Sequence, residues 1–65
     1  MAFNKLNGLY DNLQNVINDS QGDVTKFVVG GNKSAGTRVR KAMQTVKSLA
    51  QEIRVEVQDQ KNDDF

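Results

Sequence analysis

The sequence predicts an all-α protein in which two amphipathic helices form an antiparallel hairpin. Three observations favour this fold: apolar residues recur at alternating steps of three and four on both sides of Gly30-Gly31, the chain contains no Pro, and its 65 residues are only 37% hydrophobic. A chain of this size lies near the lower limit for burying a core unaided. We therefore expect one domain over residues 1–65, whose hairpins dimerise into a four-helix bundle.

The first helix is expected to cover about residues 3–29, with a heptad rhythm along its inner side. Gly22 is its weakest point, because glycine inside a helix costs about 1 kcal/mol relative to alanine. One continuous helix is nevertheless favoured over a split one. The predicted inner positions are Phe3, Leu6, Tyr10, Leu13, Ile17, Ser20, Val24 and Phe27.

Gly30-Gly31 predicts a hinge, since two adjacent glycines supply the backbone freedom that a helix C-cap and a turn require. Asn32 or Ser34 can then cap a second helix, expected over about residues 34–61. The acidic tail 62–65 is expected to be frayed. The predicted inner positions of the second helix are Val39, Met43, Val46, Ala50, Ile53 and Val57.

Both predicted helices carry a third apolar column, wider than one partner helix can cover. Leu9 and Val16 form this column in the first helix, and Ala42 and Leu49 form it in the second. A second hairpin related by a twofold axis is the simplest cover. The alternative is a monomeric hairpin whose extra column is only partly sheltered. The predicted contacts between copies are Leu6, Leu9, Leu13, Val16, Ala42, Leu49 and Ile53.

The net charge is only +1, but the charges are unevenly distributed: residues 26–47 contain six basic residues and no acidic one. Five cations recur every seven residues along the second helix, at steps of about 10.5 Å on the margin of its apolar stripe. Two interpretations of this row are open: the cations form ion pairs with acids of a neighbouring helix, or they contact a polyanion. We call it the basic ladder; its members are Lys33, Arg40, Lys47, Arg54 and Lys61.

Four cations fall within nine residues at the predicted start of the second helix, where the helix macrodipole already favours an anion. Small residues at 34–37 would let a phosphate backbone approach, with backbone N–H groups and the Thr37 hydroxyl as donors. No aromatic residue lies among them, which argues against stacking on single-stranded bases. The cluster therefore predicts contact with a phosphate backbone without base readout. The predicted DNA-binding residues are Lys33, Thr37, Arg38, Arg40, Lys41, Lys47 and Arg54.

The composition argues against catalysis and against metal binding. The chain has no His and no Cys, which removes the usual general base and the thiolate metal ligands. We expect no enzyme, cofactor, metal site or small-molecule substrate. The N-terminus lacks the apolar region of a signal peptide, and no run approaches the roughly 20 apolar residues of a spanning helix. These features favour a soluble cytoplasmic protein; binding to a membrane surface is a weaker alternative.

The run Gly-Asn-Lys-Ser-Ala-Gly-Thr-Arg-Val-Arg-Lys that begins at Gly31, followed by Leu-Ala-Gln-Glu-Ile-Arg from Leu49, resembles the bacterial linker-histone-like proteins over about residues 31–60. These are small nucleoid-associated proteins described as DNA-condensing. Val55 departs from the pattern, because a basic residue is expected there. The resemblance implies sequence-independent DNA binding in the nucleoid. The basic positions that match the family are Lys33, Arg38, Arg40 and Lys41.

Two hypotheses of function follow. The first is a histone-like architectural protein that binds DNA through its phosphate backbone. The second is a homo-oligomeric interaction or assembly module with no role for nucleic acid, in which the basic ladder pairs with acids of a partner chain.

Overall fold

The computed structural model describes residues 4–62 as two long α-helices that pack side by side in a rod of 53 × 21 × 12 Å. Helix α1 spans Lys5–Gly30 and helix α2 spans Lys33–Asn62. The prediction of an all-α antiparallel hairpin is confirmed; dimerisation stays a prediction. The tail expected to fray over residues 62–65 is helical at Asn62, the last residue of α2. Its residues 63–65, and the inner position expected for Phe3, lie outside the described residues.

The open end of the hairpin is closed by two amide side chains. Asn4 caps α1, where its Oδ1 accepts a hydrogen bond from the Leu6 backbone N–H at 2.9 Å. The side-chain amides of Asn4 and Gln60 also exchange two hydrogen bonds, at 2.8 and 3.2 Å. The start of α1 is thereby joined to the end of α2.

The hinge consists of Gly31 and Asn32, one residue later than the predicted Gly30-Gly31, because Gly30 is the last residue of α1. Gly31 adopts a left-handed conformation with φ of 65°, and its N–H donates to the Phe27 carbonyl oxygen at 3.1 Å. The Asn32 N–H donates to the Lys26 carbonyl oxygen at 3.2 Å, so the end of α1 is well satisfied. The Asn32 side chain then accepts from the Ala35 N–H at 3.1 Å. Of the two candidate caps for α2, Asn32 makes the bond.

The two helices meet along a seam with strict heptad spacing. The seam excludes the residues expected inside at every seventh position: Tyr10 is 53% exposed, Ile17 46%, Met43 42% and Val57 38%. The expectation that these residues face inward is therefore wrong. The seam instead contains the columns that were expected to flank it, Leu9 and Val16 in α1 and Ala42 and Leu49 in α2. The seam residues are Leu6, Leu9, Leu13, Val16, Ser20 and Asp23 of α1 with Ala35, Val39, Ala42, Val46, Leu49, Ile53, Glu56 and Gln60 of α2.

The physical reason lies in the small and polar residues that the inner columns share. Ala35 is fully buried, and Ser20 is buried with its hydroxyl donating to the Ile17 carbonyl oxygen at 2.8 Å. Small side chains let the helices approach closely near the hinge. Asp23 and Glu56 are half-buried in the seam and reach cations of the opposite helix. Bulkier side chains such as Tyr10 and Met43 stay outside.

The rotation set by this seam gives the hairpin two unlike sides. In an antiparallel pair, equivalent columns of the two helices border the same side. One side, the polar flank, carries only polar residues in its bordering columns: Lys5, Asn12, Asp19, Lys26, Arg38, Thr45, Glu52 and Asp59. The other side, the apolar flank, is bordered by Tyr10, Ile17 and Val24 of α1 and by Met43, Ala50 and Val57 of α2.

The hinge end is packed by an aromatic ring over a glycine. A Cβ added at Gly36 would lie 2.7 Å from two ring carbons of Phe27. Real side chains do not tolerate such a distance, so the ring occupies space that only glycine leaves open. Gly22, by contrast, lies within α1 and has open space where a Cβ would be.

These two glycines allow a matched stability test. Gly22→Ala is expected to raise the free energy of unfolding by about 1 kcal/mol, because alanine has the higher helix propensity. For a domain of this size, this corresponds to a rise in melting temperature of roughly 4–8 °C. Gly36→Ala makes the same change of propensity but must displace the Phe27 ring, so we expect no gain or a net loss. Thermal melts followed by circular dichroism measure both; equal stabilisation by the two variants would contradict the packing at the hinge.

The hinge glycines provide a second test. Gly31→Ala is expected to lower the free energy of unfolding by about 1–2 kcal/mol, since a side chain in the left-handed region is strained. Gly30→Ala is the control, because Gly30 has no positive φ and open space beside it. Urea unfolding of both variants compares them. If Gly31→Ala is no less stable than Gly30→Ala, the left-handed cap is wrong.

Candidate nucleic-acid interface

The basic ladder lies on the outer side of α2, next to the apolar flank. All five members are exposed, and each is seven residues from the next. The heptad position of the ladder is about 60° around the helix from the column that contains Met43 and Val57. From Lys33 to Lys61 the row extends about 42 Å at a rise of 1.5 Å per residue. The hairpin therefore presents a straight row of cations along most of its length.

The acids of α2 lie on a different side of the helix. Glu56 lies in the seam, and Glu52 and Asp59 border the polar flank. The four columns that face outward or towards the apolar flank contain cations and neutral residues but no carboxylate. An anion approaching this side of α2 therefore meets positive charge without the repulsion of a neighbouring acid.

The ion pairs of the described residues lie on the polar flank and use cations outside the ladder. Arg38 Nε lies 3.0 Å from Asp23 Oδ1, and Lys5 Nζ lies 3.8 Å from Glu56 Oε1. These pairs join α1 to α2 near the two ends of the hairpin. Because the cation of each pair is exposed to solvent, each pair contributes at most about 1 kcal/mol. Among the described acids, Asp23 and Glu56 are thus engaged on the polar flank, away from the basic ladder.

The start of α2 is less open to a phosphate than the sequence suggested. Ala35 is fully buried, and Phe27 covers Gly36. The N–H groups of Ala35 and Gly36 are bonded to Asn32, through its side-chain and backbone oxygens respectively. The Thr37 hydroxyl donates to the Lys33 carbonyl oxygen at 3.3 Å. Ala35 and Gly36 therefore offer a phosphate neither open space nor a free N–H group, and the side-chain cations remain the main feature.

The structure divides the seven predicted DNA-binding residues into three groups. Lys33, Arg40, Lys47 and Arg54 share the basic ladder, and Thr37 and Lys41 lie on the outer side of α2 beside it. Arg38 instead turns to the polar flank, where it meets Asp23. Lys61 completes the ladder but was not among the predicted residues, although its seven-residue spacing was a signal for it.

The seven residues predicted to contact a second copy are all half-buried along the seam of a single hairpin. Their contact with another chain stays a prediction. Leu6 and Ile53 also line a cavity on the apolar flank together with Tyr10 and Val57. These two seam residues therefore reach the edge of the exposed apolar surface.

The fold and the charge pattern together define a class of protein, a helical hairpin with a cationic outer edge. A protein-family model described as histone H1-like protein Hc1 matches residues 7–63, which is most of the 65-residue chain. The chain belongs to this histone H1-like family. The match extends the resemblance seen at residues 31–60 into α1. Neither a curated protein nor a solved structure gives a significant match.

Membership of this family supports a histone-like architectural role in DNA binding and association with the nucleoid. The family is one of DNA-packaging proteins rather than of enzymes. Neither α1 nor α2 is apolar enough over a sufficient length to cross a membrane.

Proposed function

We propose that this protein binds duplex DNA without sequence specificity, through phosphate contacts made by the basic ladder and Lys41. The observation that carries the proposal is the absence of carboxylates on the outer side of α2, where exposed cations recur over about 42 Å. The family supplies the class of partner. The geometry supports α2 as the element that touches it.

The arrangement suits backbone contact better than base readout. The steps of about 10.5 Å along α2 are close to the rise of three base pairs, and the ladder is slightly longer than one turn of duplex, about 34–36 Å. Cations spaced so widely can each meet a separate phosphate, and phosphate contacts position a protein on the duplex without reading its sequence. The columns beside the ladder carry Thr, Ser, Gln and aliphatic residues rather than aromatic ones, so they offer no platform for stacking.

The second candidate function is an assembly module that has no nucleic-acid partner. It is favoured by one observation, the exposed apolar flank, which a DNA-binding surface does not need. The discriminator is retention on DNA and heparin resins at physiological ionic strength. Early elution from both resins by a stable oligomer favours the assembly module, whereas salt-dependent retention favours DNA binding.

The first prediction concerns the ladder. Arg40→Ala combined with Lys47→Ala is expected to weaken binding to unrelated duplexes about equally. It should also reduce the slope of log K against log salt by about 2, because each lost phosphate contact removes about 0.9. The matched control is Lys5→Ala with Lys26→Ala, which removes the same charge from the polar flank. Fluorescence anisotropy over a salt series measures both double variants. An equal loss in the control would show that net charge, rather than the ladder, determines binding.

The second prediction separates neighbouring arginines. Replacing Arg38, Arg40 and Lys41 together with Ala is expected to weaken DNA binding. Within that set, Arg40→Ala should reduce affinity more than Arg38→Ala, because Asp23 already pairs with Arg38. Anisotropy titrations of the single variants at one moderate salt concentration compare them. A larger effect of Arg38→Ala would place the DNA contact on the polar flank and contradict the proposed site.

A further inference from the structure

The apolar flank is a continuous surface that one hairpin leaves uncovered. Tyr10, Ile17, Met43 and Val57 are all exposed, and both helices contribute to the same side. At the open end, Tyr10 and Val57 line one cavity; at the hinge end, Val24 and Phe27 line another with Gly36. Contiguous apolar surface of this kind in a polar chain marks an interaction site.

We propose that the apolar flank docks on the apolar flank of a second copy, with α1 of each chain against α2 of the other. The twofold axis then runs parallel to the helices, and the product is a four-helix bundle in which neighbouring helices are antiparallel. The interface follows from the apolar columns and the charges, and it does not depend on DNA binding.

The match between copies follows from the spacing of the apolar columns. On α1 exposed apolar residues recur every seven positions at Tyr10, Ile17 and Val24. On α2 the equivalent column holds the exposed residues Met43 and Val57, with the half-buried Ala50 between them. Because the two helices run antiparallel, the column of α1 faces a column of similar spacing on α2 of the partner. Two such columns interdigitate as in a heptad seam. The polar flank offers no comparable surface, since its bordering columns are polar throughout.

Charge decides which helix meets which. The basic ladder lies next to the apolar column of α2, whereas the equivalent position on α1 carries neutral residues. An axis perpendicular to the helices would set α2 against α2 and bring the two basic ladders together. The parallel axis instead sets each ladder beside the neutral column of the other chain, which avoids that repulsion. The neutral column is Asn7, Gln14, Gln21 and Val28.

The proposed arrangement also leaves both ladders accessible. They lie on opposite edges of the bundle, one from each chain, instead of merging into a single doubled strip. Dimerisation through the apolar flank therefore leaves the basic ladder of each copy exposed to solvent.

The first experiment tests the surface. Sedimentation equilibrium of the full chain is expected to give twice the 7.2 kDa chain mass. Ile17→Gln with Met43→Gln should raise the dissociation constant of the dimer at least about tenfold, because two apolar side chains at the interface are replaced by polar ones. The control is Val55→Gln, because Val55 is exposed on α2 away from the apolar flank; it should leave the mass unchanged. A monomeric parent at high concentration, including one that binds anionic vesicles through this flank, overturns the proposal. An equal effect of Val55→Gln also overturns it.

The second experiment tests the arrangement and does not require the polar double variant to fold. The chain has no Cys, so Gln14→Cys and Lys47→Cys can be made in separate chains, mixed and oxidised. The α1-to-α2 arrangement predicts that the mixed disulfide exceeds either homodimeric disulfide several-fold. A dominant Lys47→Cys homodimer would show α2 against α2 and overturn the proposed arrangement. Absence of every crosslink in a chain that sediments as a dimer would place the interface elsewhere.

Discussion

The heptad seam between α1 and α2 is the constraint on which the rest of the structure depends. Helices are cylinders, so fixing the columns that face inward fixes every other column by rotation. With Leu13, Val16 and Leu49 in the seam, the basic ladder must lie outside and the carboxylates Asp23 and Glu56 must lie inside or near the polar flank. The separation of cation, acid and apolar surface thus follows from one choice of packing.

The helices, the hinge and the heptad period could all be predicted from the sequence, because each rests on local residue pattern. The choice of seam could not. The stripe on each helix is three columns wide, and its middle column can pair with either neighbour. The outer column that holds Ile17 and Met43 is the more apolar, so a rule based on apolarity alone favours it. The other column contains Asp23 and Glu56, which in the seam pair with Arg38 and Lys5 of the opposite helix. Sequence spacing alone does not reveal these partners.

The candidate site was predictable to the same degree. A seven-residue period in charge identifies one edge of α2 wherever the seam lies, so the basic ladder does not depend on the packing. The roles of Arg38 and Gly36 do depend on the packing of α1 against α2. Arg38 pairs with Asp23 on the polar flank, and Phe27 covers Gly36. The Thr37 hydroxyl donates to the Lys33 carbonyl oxygen one turn earlier in the same helix. Local composition suggested an open, phosphate-accepting helix start; the Asn32 cap and the Phe27 ring leave less of it accessible.

The basic ladder restricts which surfaces can cover the apolar flank, because the ladder and the apolar column are neighbours on α2. Cations separated by about 10.5 Å along a single row are about one Debye length apart at moderate salt. Repulsion between neighbouring cations therefore destabilises a single hairpin only slightly. Two rows on helices packed 8–10 Å apart would bring each cation close to cations of the other row. Any cover for the apolar flank must therefore avoid placing a second row of positive charge there. The neutral column of α1, which faces the same side of the hairpin, is the surface of this chain that meets the requirement.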